Sequence, residues 1–184
     1  MIKGEIMEGM RSTTIVAVKR NGKTAIAGDG QVTVGEKFIV KNNAVKVRRI
    51  YGGKVVIGFA GSASDAFSLS QKFEELLQKF SGNLMRSAVE LAIGFRDDKY
   101  VRRLDALMLV ADKDNLLYVS GNGDVFEPEY GVAAIGSGEF YALAASRALI
   151  ENTDLSAKEI ALKALKITSD ICVFTNGHVT VEEV

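Results

Sequence analysis

The sequence predicts a layered α+β fold, because its strand-like and helix-like segments come in blocks. Strand-like runs fill residues 13–62, and two helical segments, three strands, two more helices and a C-terminal β segment follow. A parallel sheet of βαβ units would instead show single helices alternating with single strands. No repeat, linker or low-complexity segment interrupts the order, so we expect a leader of residues 1–12 followed by a single domain, 13–184.

The first block is predicted to be antiparallel. Asn21-Gly22 lies between two strand-like runs, and this dipeptide is the strongest short hairpin signal because both positions accept a positive φ. The predicted strands are TTIVAVKR (13–20), KTAIAGDG (23–30), KFIVKN and VKVRRI (around 37–50) and KVVIGFAGS (54–62).

Two amphipathic helices are predicted next, because apolar side chains recur at spacings of three and four residues. The first covers about 64–80, the second starts near residue 84, and Ser81-Gly82-Asn83 separates them. Their apolar faces comprise Phe73, Leu76, Leu77 and Phe80, and then Leu84, Ala88, Leu91 and Phe95.

The second half of the chain repeats this arrangement. Ser156 and Glu159 form a predicted capping box at the start of the last helix, with Leu155 and Ile160 as its hydrophobic staple. The other predicted elements are a hairpin of ALMLVAD (106–112) and LLYVSG (116–121), the strand VAAIGSG (132–138), an alanine-rich helix over about 139–150, and two strands, CVFT (172–175) and HVTVEEV (178–184), turned at Asn176-Gly177.

Composition excludes several classes of function. Lys+Arg and Asp+Glu both number 23, so no basic surplus indicates nucleic-acid binding. One cysteine and one histidine exclude an intramolecular disulfide and a zinc site of clustered His and Cys. No apolar run approaches the ~20 residues of a membrane helix, and the N-terminal twelve residues lack the apolar core of a secretory signal. We therefore expect a cytoplasmic protein.

The first candidate for chemistry is Thr13, at the start of the first strand. A threonine hydroxyl needs a base, and a free α-amine on Thr13 would supply one, since about a tenth of such amines are unprotonated at pH 7. Taken alone, Thr13-Thr14 is more simply interpreted as two β-branched residues that begin a strand.

Two charged candidates follow. Asp29 lies between glycines at a strand end, where the backbone can turn tightly, although Asp-Gly is also common in ordinary turns. Strand alternation places the side chains of Lys46 and Arg48 on one face of the strand and those of Val45 and Val47 on the other. Lys46 is therefore either a solvated edge residue or, if it faces a nucleophile, a cation that lowers the pKa of a nearby amine.

Two glycine-containing turns could provide backbone N–H groups. Gly58-Phe59-Ala60-Gly61-Ser62 ends a strand before a helix, where an exposed N–H could bind an oxyanion, or the turn could simply be tight. Gly136-Ser137-Gly138 also joins a strand to a helix, but Tyr141 breaks the dinucleotide-binding fingerprint.

The remaining candidates indicate no chemistry of their own. His178 is expected at a strand end on the surface, and Cys172 is expected to be a buried, inert thiol. The chain has no G-x-S-x-G elbow, so a serine hydrolase of the α/β type is unsupported.

Seven motifs in one order resemble the HslV family, the proteasome-β-like peptidases of bacteria that work with the ATPase HslU. They extend from Thr13 to the C-terminal region: TTIVAVKRNGKTAIAGDGQVT, KVRR, GFAGSASDAF, GNGDV, AIGSG, NTDLSAKEIA and DICVFTN. The resemblance implies a four-layer αββα sandwich of the N-terminal-nucleophile type, two stacked hexameric rings, and ATP-dependent proteolysis with an HslU-type partner.

The resemblance also assigns roles to residues. Thr13 matches the nucleophile, Asp29 and Lys46 the charged pair beside it, Gly58 the oxyanion donor and Ser137 a supporting serine. Main-chain oxygens of Ser169, Cys172 and Thr175 match a sodium site, which Asp170 in the same loop could support.

Two departures from the family pattern affect these assignments. The leader is longer than usual, so exposing Thr13 requires cleavage of the Ser12–Thr13 bond. The segment before Lys46 is one residue longer, and Lys46 is placed by the VRR that follows it. A non-catalytic ring subunit and a nucleotide-binding protein are the alternative functions.

Overall fold

The computed structural model describes residues 13–34, 37–61, 63–97 and 107–184. The strands in chain order are β1 (Thr14–Arg20), β2 (Lys23–Asp29), β3 (Val32–Val34), β4 (Phe38–Lys41), β5 (Val47–Ile50), β6 (Val55–Ala60), β7 (Leu107–Ala111), β8 (Leu116–Ser120), β9 (Val125–Phe126), β10 (Val132–Gly136) and β11 (Val179–Glu183). The helices are α1 (Ala63–Lys79), α2 (Leu84–Asp97), α3 (Glu139–Asn152) and α4 (Ala157–Ser169).

The strands form two main antiparallel sheets, and each sheet carries a helix pair on its outer face. One sheet has the order β10-β1-β2-β11 and the other β5-β6-β7-β8-β9. Helix α3 contacts β1 and β10 of the first sheet, and α4 contacts β1 and β2. In the second sheet, α1 contacts β6, and α2 contacts β8 and β9. This arrangement confirms the four-layer αββα sandwich.

Strand alternation divides the apolar residues among three cores, one at each layer boundary. On β1, Ile15 and Ala17 point into the core between the sheets, and Val16 and Val18 point into the core beneath α3 and α4. The third core lies between the second sheet and α1–α2, where Phe73 is fully buried. Burying one such side chain stabilises the fold by roughly 1.5–3 kcal/mol.

The predicted turns between elements are confirmed where special backbone angles are needed. Asn21 and Gly22 have φ values of 53° and 75°, as a tight turn between β1 and β2 requires. Ser81 and Gly82, with φ values of 53° and 82°, separate α1 from α2.

The predicted capping box at the start of α4 is also confirmed. The Glu159 N–H donates to Ser156 Oγ at 3.3 Å, and the Ser156 N–H donates to Glu159 Oε2 at 2.9 Å. These two bonds satisfy backbone N–H groups that have no partner inside the helix.

The prediction of a strand at CVFT (172–175) is wrong. The Cys172 N–H donates to Thr168 O at 2.8 Å, and the Thr175 N–H donates to Cys172 O at 3.0 Å. These hydrogen bonds join residues three and four positions apart, so the backbone after α4 forms a series of turns. The apolar residues of this segment therefore do not form a strand. Val173 is 78% exposed.

The short hairpin of β3 and β4 forms a separate two-stranded sheet, and β9 is an additional edge strand. Neither β3 nor β9 was predicted from the sequence. Among the described residues, no helix combines the length and the apolar character needed to cross a membrane.

Candidate active site

Thr13 lies immediately before β1, at the end of the first sheet, and only 7% of its surface is exposed. Its carbonyl oxygen accepts a hydrogen bond from the Ser137 N–H at 2.7 Å. Gly136 has a φ of 96°, and a Cβ at that position would lie 2.0 Å from Thr13 O. Glycine is therefore required at position 136 for the turn to pack against Thr13.

A buried carboxylate holds the backbone next to Thr13. Asp29 is fully buried, and its Oδ1 accepts the Thr14 N–H at 2.8 Å. Its Oδ2 accepts the Gln31 N–H at 2.9 Å, and the Asn176 N–H is 3.4 Å from the same atom. Because charge-assisted bonds of this kind are about twice as strong as neutral ones, Asp29 fixes both the strand end and the loop beyond it.

Lys46 points at the same carboxylate rather than at solvent. Its Nζ lies 2.9 Å from Asp29 Oδ1 and also donates to Gln31 O, and its side chain is 9% exposed. Burial lowers the pKa of Lys46 below its ordinary value, whereas the charge and hydrogen bond of Asp29 oppose that change. Asp29 thus connects an ammonium group to the backbone of the residue after Thr13.

The Gly136-Ser137-Gly138 turn holds Thr13 and Thr14 from the other side. Gly138 N–H donates to Thr14 Oγ1 at 3.0 Å, and that hydroxyl is 2.7 Å from Thr175 Oγ1. Ser137 contributes through its backbone N–H, and the residue itself is exposed.

The structure contradicts the predicted role of the Gly58 N–H. Phe59 N–H donates to Lys46 O at 3.2 Å, so the strand alternation turns the Gly58 N–H the other way, toward Leu109 on β7. A Cβ on Gly58 would lie 2.7 Å from Ile15, so the glycine serves close packing between the sheets. Gly61, the first residue after β6, is exposed and has a φ of 142°.

Ser169 is the last residue of α4, and Cys172 and Thr175 lie on the turns that follow it. Thr175 contacts Thr14 and is therefore linked to the site through its side chain. Among the described residues no group of three or more His, Cys, Asp or Glu side chains could hold a metal ion. Main-chain oxygens at a helix C-terminus carry partial negative charge and fit a hard monovalent cation.

Three residues that hold the site together were given no role from the sequence: Thr14, Gln31 and Asn176. Asn176 was read as a turn residue, yet its side chain also receives the Gly30 N–H at 3.2 Å and donates to Asn42 O at 2.9 Å. No spacing in the sequence joins residues this far apart. His178 is exposed, as expected, Cys172 is buried and Asp170 is exposed.

The comparisons with known proteins agree with this geometry. A family model described as proteasome subunit matches residues 10–184. The ATP-dependent protease subunit HslV of Caldicellulosiruptor saccharolyticus is 58% identical over 172 residues, which cover 94% of this chain and 98% of that protein. The chain belongs to the HslV group of the proteasome subunit family.

Other HslV proteins support the same assignment. The HslV of Staphylococcus carnosus is 56% identical over 95% of this chain and 97% of its own length. The crystal structure of eukaryotic HslV from Trypanosoma brucei superimposes with a TM-score of 0.88 at 46% identity and covers 92% of this chain and 98% of its own. The chain is thus a proteasome-type threonine peptidase and a protease subunit, rather than a non-catalytic ring scaffold.

Proposed function

We propose that Thr13 is the nucleophile of this peptidase and acts after residues 1–12 have been removed. The observation that carries the proposal is the buried Asp29 carboxylate, which binds both the Thr14 N–H and the Lys46 ammonium group. Burying a charged pair costs desolvation free energy, and such pairs are concentrated at functional sites. The pair at the N-terminal end of β1 therefore supports a chemical role for the adjacent Thr13.

In the proposed reaction the α-amine of Thr13 acts as the base. It takes the proton of Thr13 Oγ, through a water molecule, while Oγ attacks the scissile carbonyl carbon. The amine then returns the proton to the leaving nitrogen, the C–N bond breaks and an ester remains on Thr13. Water hydrolyses that ester by the same route, which frees the acid product and the hydroxyl.

The surrounding charges tune this amine. Lys46 disfavours a second positive charge nearby and so lowers the pKa of the Thr13 amine toward neutral pH. Because the Gly58 N–H belongs to the sheet, we propose that the N–H of Gly61, just beyond the end of β6, receives the oxyanion.

The nucleophile is tested by Thr13→Ala in a form that begins at residue 13. We expect peptide hydrolysis to fall to background, whereas the control Thr153→Ala, at the end of α3, keeps wild-type activity. Mass spectrometry of purified active wild type checks the amine: turnover by protein that retains residues 1–12 would exclude it as the base.

We also propose that the chain forms a double hexameric ring in the cytoplasm and works with an HslU-type ATPase. The relatives' names, ATP-dependent protease subunit HslV, support the ATPase partner. The double ring is implied by the resemblance to the HslV family, and a single cysteine fits a reducing cytoplasm. Sedimentation measures the assembly. Degradation of a folded substrate is expected only when both the ATPase and ATP are added, while degradation without them would contradict the partner's role.

Sodium is the proposed ion for the main-chain oxygens of Ser169, Cys172 and Thr175. When bound, it would neutralise the carbonyl dipoles after α4 and stabilise the turn that carries Thr175. We expect a higher thermal unfolding midpoint in sodium chloride than in tetramethylammonium chloride at equal ionic strength; equal midpoints would exclude the site.

A further inference from the structure

The strand pair at the nucleophile leaves two backbone N–H groups pointing away from each other. Thr14 on β1 and Gly136 on β10 are opposite residues, and the adjacent Ser137 N–H donates to Thr13 O. In an antiparallel ladder this makes Thr14 and Gly136 a non-hydrogen-bonded pair, whose own N–H groups face outward.

Each outward N–H donates to a carboxylate. The Thr14 N–H donates to Asp29 Oδ1 at 2.8 Å, and on the opposite side the Gly136 N–H donates to Glu139 Oε2 at 3.2 Å. Among the described strands β10 lies at the edge of its sheet, so none of them accepts the Gly136 N–H from that side. Glu139, the first residue of α3, supplies that acceptor.

With Glu139 as an acceptor, each of three consecutive N–H groups in the turn has a hydrogen-bond partner. The N–H of Gly136 is held by Glu139, that of Ser137 by Thr13 O, and that of Gly138 by Thr14 Oγ1. Two of these bonds fix the nucleophile strand, and the third fixes the turn itself from its outer side. Rotation of the Gly136 peptide would disturb Thr13, because Gly136 packs directly against Thr13 O.

We propose that Glu139 is a positioning residue for Thr13: its carboxylate holds the Gly136 amide and thereby sets the turn that orients the nucleophile. The inference rests on the proposed role of Thr13. Glu139 was not among the residues that the family resemblance assigned, and it acts through backbone atoms rather than on the substrate.

The surroundings of Glu139 give this role a pH dependence. Burial raises the pKa of Glu139, and the Gly136 N–H opposes that rise. On β8, Tyr118 faces this carboxylate, and the charges of Glu139 and Asp124 both contribute to the raised pKa of Tyr118, after burial. As pH falls through the raised pKa of Glu139, its carboxylate becomes neutral and accepts the amide more weakly, so the turn loosens.

The test compares Glu139→Gln, which keeps an acceptor oxygen, with Glu139→Ala, which removes it. Glu151→Gln, at the other end of α3, is the matched control because its exposed carboxylate pairs with Arg147 on the surface of the same helix. All are made in the form that begins at Thr13. The readouts are kcat and KM for a peptide, and the rate at which a threonine-directed electrophile labels Thr13.

We expect Glu139→Ala to lower kcat and the labelling rate by about tenfold with KM nearly unchanged, the scale of a lost charge-assisted hydrogen bond. Glu139→Gln should keep most of the activity. Because glutamine does not titrate, kcat of this variant should fall less than that of wild type as the pH is lowered. The control should match wild type in every measurement.

Two different failures are distinguishable. If the electrophile does not label Thr13 in wild type, the proposed nucleophile is wrong. If wild type is labelled and Glu139→Ala is labelled equally fast, with an unchanged pH profile in Glu139→Gln, Thr13 stands and the positioning role of Glu139 is overturned. Hydrogen exchange of the Gly136 amide gives an independent check, because it should accelerate in Glu139→Ala alone.

Discussion

The two ends of the β10-β1-β2-β11 sheet hold their charges differently. At the Thr13 end, the side chains of Asp29 and Lys46 are 0% and 9% exposed and 2.9 Å apart. At the far end, Lys23 and Glu183 form a pair of similar length, 3.1 Å, but their side chains are 68% and 27% exposed. Distance alone does not separate the two pairs. The two pairs differ in burial and in the number of backbone N–H groups that bind the carboxylate. Mutation of the buried pair is therefore expected to cost much more unfolding free energy than mutation of the exposed pair.

The largest effect is expected from Asp29→Asn. The substitution removes the charge that balances Lys46 and weakens the bonds from the Thr14 and Gln31 N–H groups. Breaking one side of a buried pair costs about 3–5 kcal/mol of unfolding free energy, and peptidase activity should be lost with it. Urea denaturation measures the first and peptide hydrolysis the second. A loss of unfolding free energy below about 1 kcal/mol would contradict the claim that the buried pair contributes more to stability than the exposed pair.

Lys46→Met also breaks the buried pair, but it should destabilise the fold less than Asp29→Asn, because backbone N–H groups of Thr14 and Gln31 still hold the Asp29 charge. Its distinctive effect should be on catalysis. Without the ammonium group, the pKa of the Thr13 amine rises, so the acid limb of kcat/KM moves to higher pH, and activity near neutral pH falls by roughly tenfold for each unit of the shift. The pH profile of the form that begins at Thr13 measures this. An acid limb at its wild-type position would show that Lys46 does not tune the amine.

The same residue gives a stability prediction with a defined sign. Burial lowers the pKa of Lys46 in the folded state below its ordinary value, so between these two values the unfolded chain binds more protons than the folded one. The unfolding free energy should therefore rise as pH increases through this range. Comparison with Lys46→Met, which lacks the group, isolates the contribution. A wild-type curve that falls relative to the variant would contradict the direction.

Thr14→Val tests the hydroxyl that joins the turn to the C-terminal segment. It removes the acceptor of the Gly138 N–H and the partner of Thr175 while keeping the shape of the side chain. We expect a loss of about 1–3 kcal/mol, since a buried donor stays unsatisfied, and recovery in Thr14→Ser. Equal losses in both variants would point to packing rather than to the hydrogen bonds.

The smallest effect is expected at the far end. Lys23→Ala removes an exposed pair with Glu183 and should change the unfolding free energy by no more than about 1 kcal/mol, with less effect at high salt. Peptidase activity should not change. A loss comparable to that of Asp29→Asn would show that burial is not what distinguishes these pairs.

Local signals in the sequence identified most elements of the fold. The Asn21-Gly22 turn, the capping box at Ser156 and the helix break at Ser81-Gly82 depend on neighbouring residues only, so spacing was enough to find them. The wrong prediction of a strand at CVFT (172–175) also came from relying on neighbouring residues only. A short apolar run is compatible with either a strand or a turn, and here bonds back to the last turn of α4 decided it.

The sequence by itself determined the order of the strand and helix blocks, the family resemblance and the residue types at the site, since each depends on local pattern or on motif order. Only the tertiary structure decided which groups meet. It turned Lys46 toward Asp29, directed the Gly58 N–H into the sheet, and brought Glu139 against Gly136. These outcomes depend on strand register and on which side of a strand each N–H faces, and no sequence spacing records either one.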